Sequence, residues 1–215
     1  MTAIPKFERY TINPKLFVFF NPKTEMVAGV NFTTEDRIGG DIDYIRGNKP
    51  SGFFEENNTD RLSTEFSLEH HFGVCSHVSI RNSFNHFKRS IASNGYAFDG
   101  TQNGTFMEAT YAYHGDKLEW VTGLNLVTDQ FREIQMTTTP LRNYDQLTAG
   151  FFIQNTWKVH ERLHIETGLR GDGVRDYGFA LLPRFSALFK FTPALSSRIG
   201  GGMGYKAPTI FSDES

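Results

Sequence analysis

The chain has 215 residues and a formal net charge of −2, so it offers no basic surface for nucleic acid. Hydrophobic residues make up 39 % and charged residues 21 %, too apolar a mixture for a disordered tail. One cysteine, Cys75, excludes an internal disulfide framework and a multi-cysteine zinc site. Aromatics reach 14 %, with 21 Phe beside 20 Gly. That pairing suits a β-rich protein, because rings pack well on pleated surfaces and Gly serves turns and close backbone contacts. The longest unbroken apolar run is Leu16–Phe20. A transmembrane helix needs roughly 20 apolar residues, so none is expected. A barrel crosses a bilayer with alternating residues and is not excluded. Met1–Pro5 lacks a basic stretch followed by an apolar core, so no signal peptide is read there.

In chain order, the signal is a period of two. After the run Leu16–Phe20, Met26, Ala28, Val30 and Phe32 oppose Glu25, Val27, Gly29, Asn31 and Thr33. Leu62, Phe66, Leu68 and Phe72 oppose Arg61, Ser63, Glu65, Ser67 and Glu69. Val74, Val78 and Ile80 oppose Cys75, His77, Ser79 and Arg81, and Met107, Ala109, Tyr111 and Tyr113 oppose Phe106, Glu108, Thr110 and Ala112. Leu118, Trp120, Leu124 and Leu126 oppose Glu119, Gly123 and Asn125. The clearest case is Gln146–Val159, where Leu147, Ala149, Phe151, Ile153, Trp157 and Val159 share one face with the exception Asn155, and Gln146, Thr148, Gly150, Gln154, Thr156 and Lys158 share the other with the exception Phe152. Leu163–Leu169, Phe185–Phe191 and Leu195–Tyr205 continue it. Successive strand side chains point to opposite faces, so these are two-faced strands. They number ten, in five hairpins.

Short turns are expected at Asn21–Thr24, around Gly73, at His114–Asp116, at His160-Glu161 and at Thr192-Pro193. Long loops are expected at Ile38–Asp60, Lys88–Asn103, Gln130–Asp145 and Gly171–Leu182. Strands of about ten residues, short turns at one end and long loops at the other fit an antiparallel up-and-down transmembrane β-barrel. Trp120, Trp157, Tyr111, Tyr113 and Tyr205 near strand ends match its aromatic girdles. The same alternation also fits a soluble β-sandwich, whose apolar faces pack against each other.

The last third carries a more specific signal. Gly150–Trp157, Gly168-Leu169-Arg170, Leu182–Ser186 and Arg198–Thr209, which includes Gly200-Gly201-Gly202-Met203-Gly204-Tyr205-Lys206-Ala207-Pro208, occur in order. This set resembles the barrel of TonB-dependent outer-membrane receptors, particularly siderophore, haem and vitamin receptors. The resemblance implies a 22-stranded barrel with an N-terminal plug, importing a scarce ligand (a ferric siderophore, haem or cobalamin) with energy relayed by TonB. It implies no enzyme activity, no cofactor of the protein's own, and residence in the bacterial outer membrane among its lipids. The chain then reads as an internal part of one barrel domain, with the plug and the C-terminal strands outside it. Ile210–Ser215 does not resemble the terminal aromatic strand of such barrels. Two rivals stand beside this reading: a passive porin-like or structural barrel, and a soluble β-sandwich binding module.

Other motifs are weaker. Gly200–Gly204 fits neither a dinucleotide loop nor a P-loop, and reads as small residues on the inward face. Arg170-Gly171-Asp172 spells an adhesion tripeptide within a strand. His70 and His71 point to opposite faces, and no His/Cys pair has a convincing ligand spacing, so no metal site is expected; His86 is a weak haem-ligand candidate in a loop. Asp41, Asp43, Glu55 and Glu56 read as solvated loop acids. No catalytic constellation is present. In a barrel, Arg162, Glu166, Arg170, Arg184, Lys190 and Arg198 line the lumen. The small-molecule ligand candidates are aromatics expected in loops: Tyr44, Phe53, Phe54, Tyr96, Phe98 and Tyr144.

Overall fold

A computed structural model of the chain describes residues 5–134 and 142–206. Residues 1–4, the family-like Ala207-Pro208-Thr209 and the terminal run Ile210–Ser215 lie outside the described residues, as does part of the expected 130–145 loop. Eleven strands form one antiparallel sheet: β1 (Lys6–Ile12), β2 (Lys15–Asn21), β3 (Thr24–Gly40), β4 (Phe54–His71), β5 (Ser76–Ser93), β6 (Tyr96–His114), β7 (Leu118–Glu133), β8 (Tyr144–His160), β9 (Leu163–Val174), β10 (Gly178–Thr192) and β11 (Leu195–Gly202). Each strand from β3 to β10 pairs with the next in sequence, the up-and-down order expected. The sheet is open, with edges at β1–β2 and at β11.

The eleventh strand is β1, which the alternation did not reveal. It pairs with the outer half of β3, and β2 pairs with the inner half. Ile12 opposes Phe32 and Lys15 opposes Gly29, so the register is unchanged across Asn13-Pro14. The two are one barrel strand, interrupted where Pro14 has no N–H to give the ladder. The Pro14 carbonyl still accepts from Val30 N–H at 3.1 Å.

The connections correct the expectation of four long loops. β5 and β6 meet through Asn94-Gly95 alone, with Ser93 opposite Tyr96. β9 and β10 meet through Arg175-Asp176-Tyr177, where Asp176 takes φ 68° and Gly178 φ 88°. The β3–β4 connection is shorter than expected and holds the single-turn helix α1 (Ile42–Ile45). Strands therefore fill what reads as loop. β3 to β6 are 17 to 19 residues long, or about 60 Å at roughly 3.3 Å per residue.

One face of the sheet explains why. Its rows near the short turns are apolar: Met26–Leu68–Ile80–Ala109–Leu124–Phe151 is one, and Trp157, Ile165 and Ala187 share another. Farther from the short turns the same face carries Thr34–Asp60–Lys88–Thr101–Arg132, then Asp36–Asn58–Ser90–Asp99. There both faces are polar, alternation vanishes from the sequence, and the backbone ladder continues regardless.

Among the described residues no second layer covers the apolar band. Among the described residues the buried hydrophobic ones are Ala112, Phe131 and Val174, while Leu124 stays 61 % exposed and Phe151 51 %. Leaving a large apolar side chain in water forgoes roughly 1.5–3 kcal/mol. A band of this width needs an apolar solvent, so the β-sandwich is set aside and the transmembrane barrel sheet stands.

Candidate functional site: an arginine–aromatic face

The polar face is continuous across the strands, because register keeps odd residues of β3, β4 and β5 in line with even residues of β6. Beyond the apolar band it carries a cavity of about 440 Å³ lined by Arg9, Arg37, Arg61, Arg89, Glu35 and Phe87, with Thr, Asn and further polar neighbours. Four arginines and one carboxylate line it. Glu35 lies between Arg9, with which it pairs, and Arg37, whose Nη2 is 2.8 Å from Glu35 Oε1. The hydrogen bond from Arg9 and the charge of both guanidiniums hold the Glu35 carboxyl below its ordinary value. Arg37 Nε is buried without a hydrogen-bond partner. Arg61 lies over the Phe87 ring at 5.0 Å, and Arg89 Nε donates to Asn57 Oδ1 at 3.1 Å. The surplus is about three positive charges held on rigid strands.

A second cavity of about 230 Å³ adjoins it, sharing Phe87 and Arg89. Its wall is aromatic: Tyr96, Phe98 and Phe131, with Arg142 and Gln102. Phe98 stacks near Phe131 (6.3 Å, 10°), and Phe131 near Tyr144 (5.8 Å, 21°). Arg142 sits over Phe98 at 5.5 Å and pairs with Glu133 at 3.1 Å, which holds the Glu133 carboxyl below its ordinary value. The Tyr144 hydroxyl donates to Asp129 at 3.0 Å and accepts from Gln102 at 3.2 Å. Burial, with the Asp129 charge beside it, pushes the Tyr144 phenol up to about 12.

The six aromatic candidates divide. Tyr96, Phe98 and Tyr144 gather at this wall, and all three are strand residues rather than loop residues. Tyr44 and Phe54 pack on each other at α1 with centroids 5.7 Å apart, and Phe54 too is in a strand. Phe53 is in the connection, where its carbonyl accepts from Asp41 N–H at 2.8 Å. Asp41 caps α1 by accepting from Asp43 N–H at 3.0 Å; that bond, with nearby Lys49, keeps its carboxyl low. Glu55 and Glu56 belong to β4 rather than to a loop. Reading sequence for loops missed Arg9, Arg37, Arg89, Phe87, Phe131 and Arg142. The usable signal was the spacing Arg37, Arg61, Arg89, each at the polar-face parity of its strand.

The other expected charges lie elsewhere on this face. Glu166, Arg170, Arg184, Lys190 and Arg198 share its parity in β9 to β11, and Arg162 is in the β8–β9 turn. Arg198 Nη1 donates to Glu166 at 3.0 Å, reaching across β10. Arg170 Nε donates to both carboxylate oxygens of Asp172, at 2.8 and 2.9 Å. Asp172 is 1 % exposed, which removes the adhesion tripeptide from any partner's reach. His86 is in β5, not a loop, and on the opposite face, 2.7 Å from Asn103 Oδ1.

The family profile described as TonB dependent receptor-like, beta-barrel matches residues 6–215. The chain belongs to the TonB-dependent receptor family, whose members are outer-membrane transport receptors and not enzymes. None of the curated proteins compared with it matches this chain. Among solved structures it is similar to the ferric enterobactin receptor PfeA of Pseudomonas aeruginosa (TM-score 0.78, 11 % identity, covering 95 % of this chain and 34 % of that one). It is also similar to the alcaligin outer-membrane receptor FauA of Bordetella pertussis (0.72, 13 %, 87 % and 34 %). A third is the ferric-catecholate import receptor Fiu of E. coli K12 (0.72, 10 %, 96 % and 48 %). At these identities the likeness is one of fold, and the chain spans a third to a half of the receptors' length.

Proposed function

We propose that this chain is the ligand-gathering part of a receptor barrel for anionic, ring-bearing ferric chelates of the catecholate class. The observation that carries the reading is the arginine cluster Arg9, Arg37, Arg61 and Arg89 beside the aromatic wall of Tyr96, Phe98 and Phe131. Charge-assisted hydrogen bonds favour an anion, and flat rings favour a planar ligand surface. Haem and cobalamin fit less well, because neither calls for so concentrated a positive surplus. In this reading the polar face, with Arg162, Glu166, Arg170, Arg184, Lys190 and Arg198, lines the lumen. A plug outside this chain fills it and receives energy through TonB. The short turns face the periplasm, and the arginine site stands outside the bilayer in the outer membrane of the cell. The protein does no chemistry on its cargo.

The test uses the full-length receptor in detergent. A ferric tris-catecholate should quench intrinsic fluorescence saturably, and a neutral ferric tris-hydroxamate should bind far more weakly. Arg61→Ala and Arg89→Ala should each lower catecholate affinity about 10- to 100-fold, the worth of one charge-assisted bond. Equal binding of the neutral chelate, or wild-type affinity in both variants, would overturn the reading.

A further inference from the structure

The opposite end of the polar face holds a second cluster. β4 ends and β5 begins around a turn of four residues, Phe72 to Cys75. The register sets His71 directly across from His77. Glu69, two residues before His71, lies on the same face. The ligand-capable atoms of Glu69, His71 and His77 all lie within 4.8 Å of one another, with His71 Nε2 2.9 Å from Glu69 Oε1. His114, on the next strand, stacks on His77 at 5.5 Å. The expectation that no histidine pair stands at ligand spacing fails here, because the hairpin brings together residues that linear spacing keeps apart.

Two further features ask for a cation. Glu69 also faces Glu25 directly across the β3–β4 ladder. Like charges directly opposite on a sheet repel. Beside them, Ser79 also faces Glu69, and its hydroxyl is buried (4 % exposed) with no hydrogen-bond partner. The backbone is fixed on both flanks: His71 N–H donates to Lys23 O at 2.8 Å, and His114 N–H to Cys75 O at 2.7 Å. The ligands thus hang from a braced hairpin. Two imidazoles and a carboxylate form a three-ligand zinc donor set that leaves a fourth position for water. Tetrahedral bonds of about 2.0–2.1 Å put ligand atoms about 3.3 Å apart, within small rotamer adjustments of the spacing found.

We propose that Glu69, His71 and His77 bind a divalent ion of the zinc type, which clips β4 to β5 at the short-turn end. Glu69 is eight residues from Arg61 along β4, or about 26 Å, so this site is separate from the arginine cluster. Bound metal would balance the Glu25–Glu69 repulsion and lock the hairpin.

The experiment uses full-length protein in detergent, stripped with EDTA and titrated with Zn²⁺ by calorimetry and with Co²⁺ by visible absorption. One equivalent should bind, with Co²⁺ bands of tetrahedral intensity, and Zn²⁺ should raise the unfolding midpoint in step with the logarithm of its concentration. His71→Ala and His77→Ala should abolish that equivalent and the midpoint shift. His86→Ala, on the other face, should keep both. Heat-modifiable gel mobility shows that each variant still forms a barrel, and Glu69→Gln supplies a near-isosteric change that should weaken binding while preserving the fold. Absence of a zinc equivalent in the wild type, or its retention in both folded histidine variants, would overturn the proposal. Neither result touches the arginine site, which ferric-chelate binding reads independently.

Discussion

A methyl group at position 150 has nowhere to go. A Cβ there would lie 2.3 Å from Asp172 Oδ1 and 2.4 Å from Asn125 Oδ1. Both oxygens are tethered: Asp172 is held by Arg170 and by the Tyr205 hydroxyl at 3.1 Å, and Asn125 Oδ1 accepts from Arg170 Nη2 at 3.4 Å. Gly150→Ala should therefore destabilise the barrel by about 1–3 kcal/mol, the usual range for overpacking. Gly104→Ala is the control, since the nearest atom to its Cβ is a carbonyl oxygen at 3.7 Å. Urea unfolding of the two variants in detergent should separate them clearly. Sequence alone places Gly150 on the small and polar face and Arg170 beside Asp172. It is silent on why Gly is required, because Asn125, Gly150 and Asp172 meet only through the registers of β7, β8 and β9.

At the scale of elements, one side chain ties two connections together. Asn94, in the two-residue turn between β5 and β6, accepts from Phe54 N–H at 2.9 Å and donates to Gly52 O at 3.0 Å. Asn94→Ala removes both bonds, each worth about 0.5–1.5 kcal/mol. Hydrogen exchange at the Phe54 amide should accelerate roughly tenfold, while the apolar band keeps its protection. No change at Phe54 would mean the connection is held from elsewhere. This turn also shows where legibility ends. Asn-Gly between strands is a strong hairpin signal, yet the flanking segments read as loop because they lack an apolar face. Period two is visible only where the two faces meet different solvents. At Leu62–Leu68 they do; at Glu56–Asp60 both sides are polar, although the ladder is unbroken. The arginine cluster falls in that unreadable half, and Tyr96, Phe98 and Tyr144 beside it read as loop aromatics although they are strand residues. Proline hid β1 in the same way, by breaking a strand whose register never changes.

The whole molecule has almost no interior. Its stability rests on backbone ladders and on whatever coats the apolar band, where Leu124, Phe151 and Phe185 are each at least half exposed. These 215 residues should therefore elute as aggregates in water and as a discrete species in detergent or lipid. A monodisperse, detergent-free product in size-exclusion chromatography would contradict the barrel reading.

The interrupted strand has one more consequence. In an antiparallel ladder both polar atoms of a residue point to the same side. Pro14 turns its carbonyl toward Val30, so the donor it lacks is missing from the inner seam. Asn13 and Lys15, on either side, present their amides outward. From Lys6 to the register shift after Phe19 the outward rim is thus one continuous template, and a further β-segment can zip along that stretch without meeting a gap at Pro14.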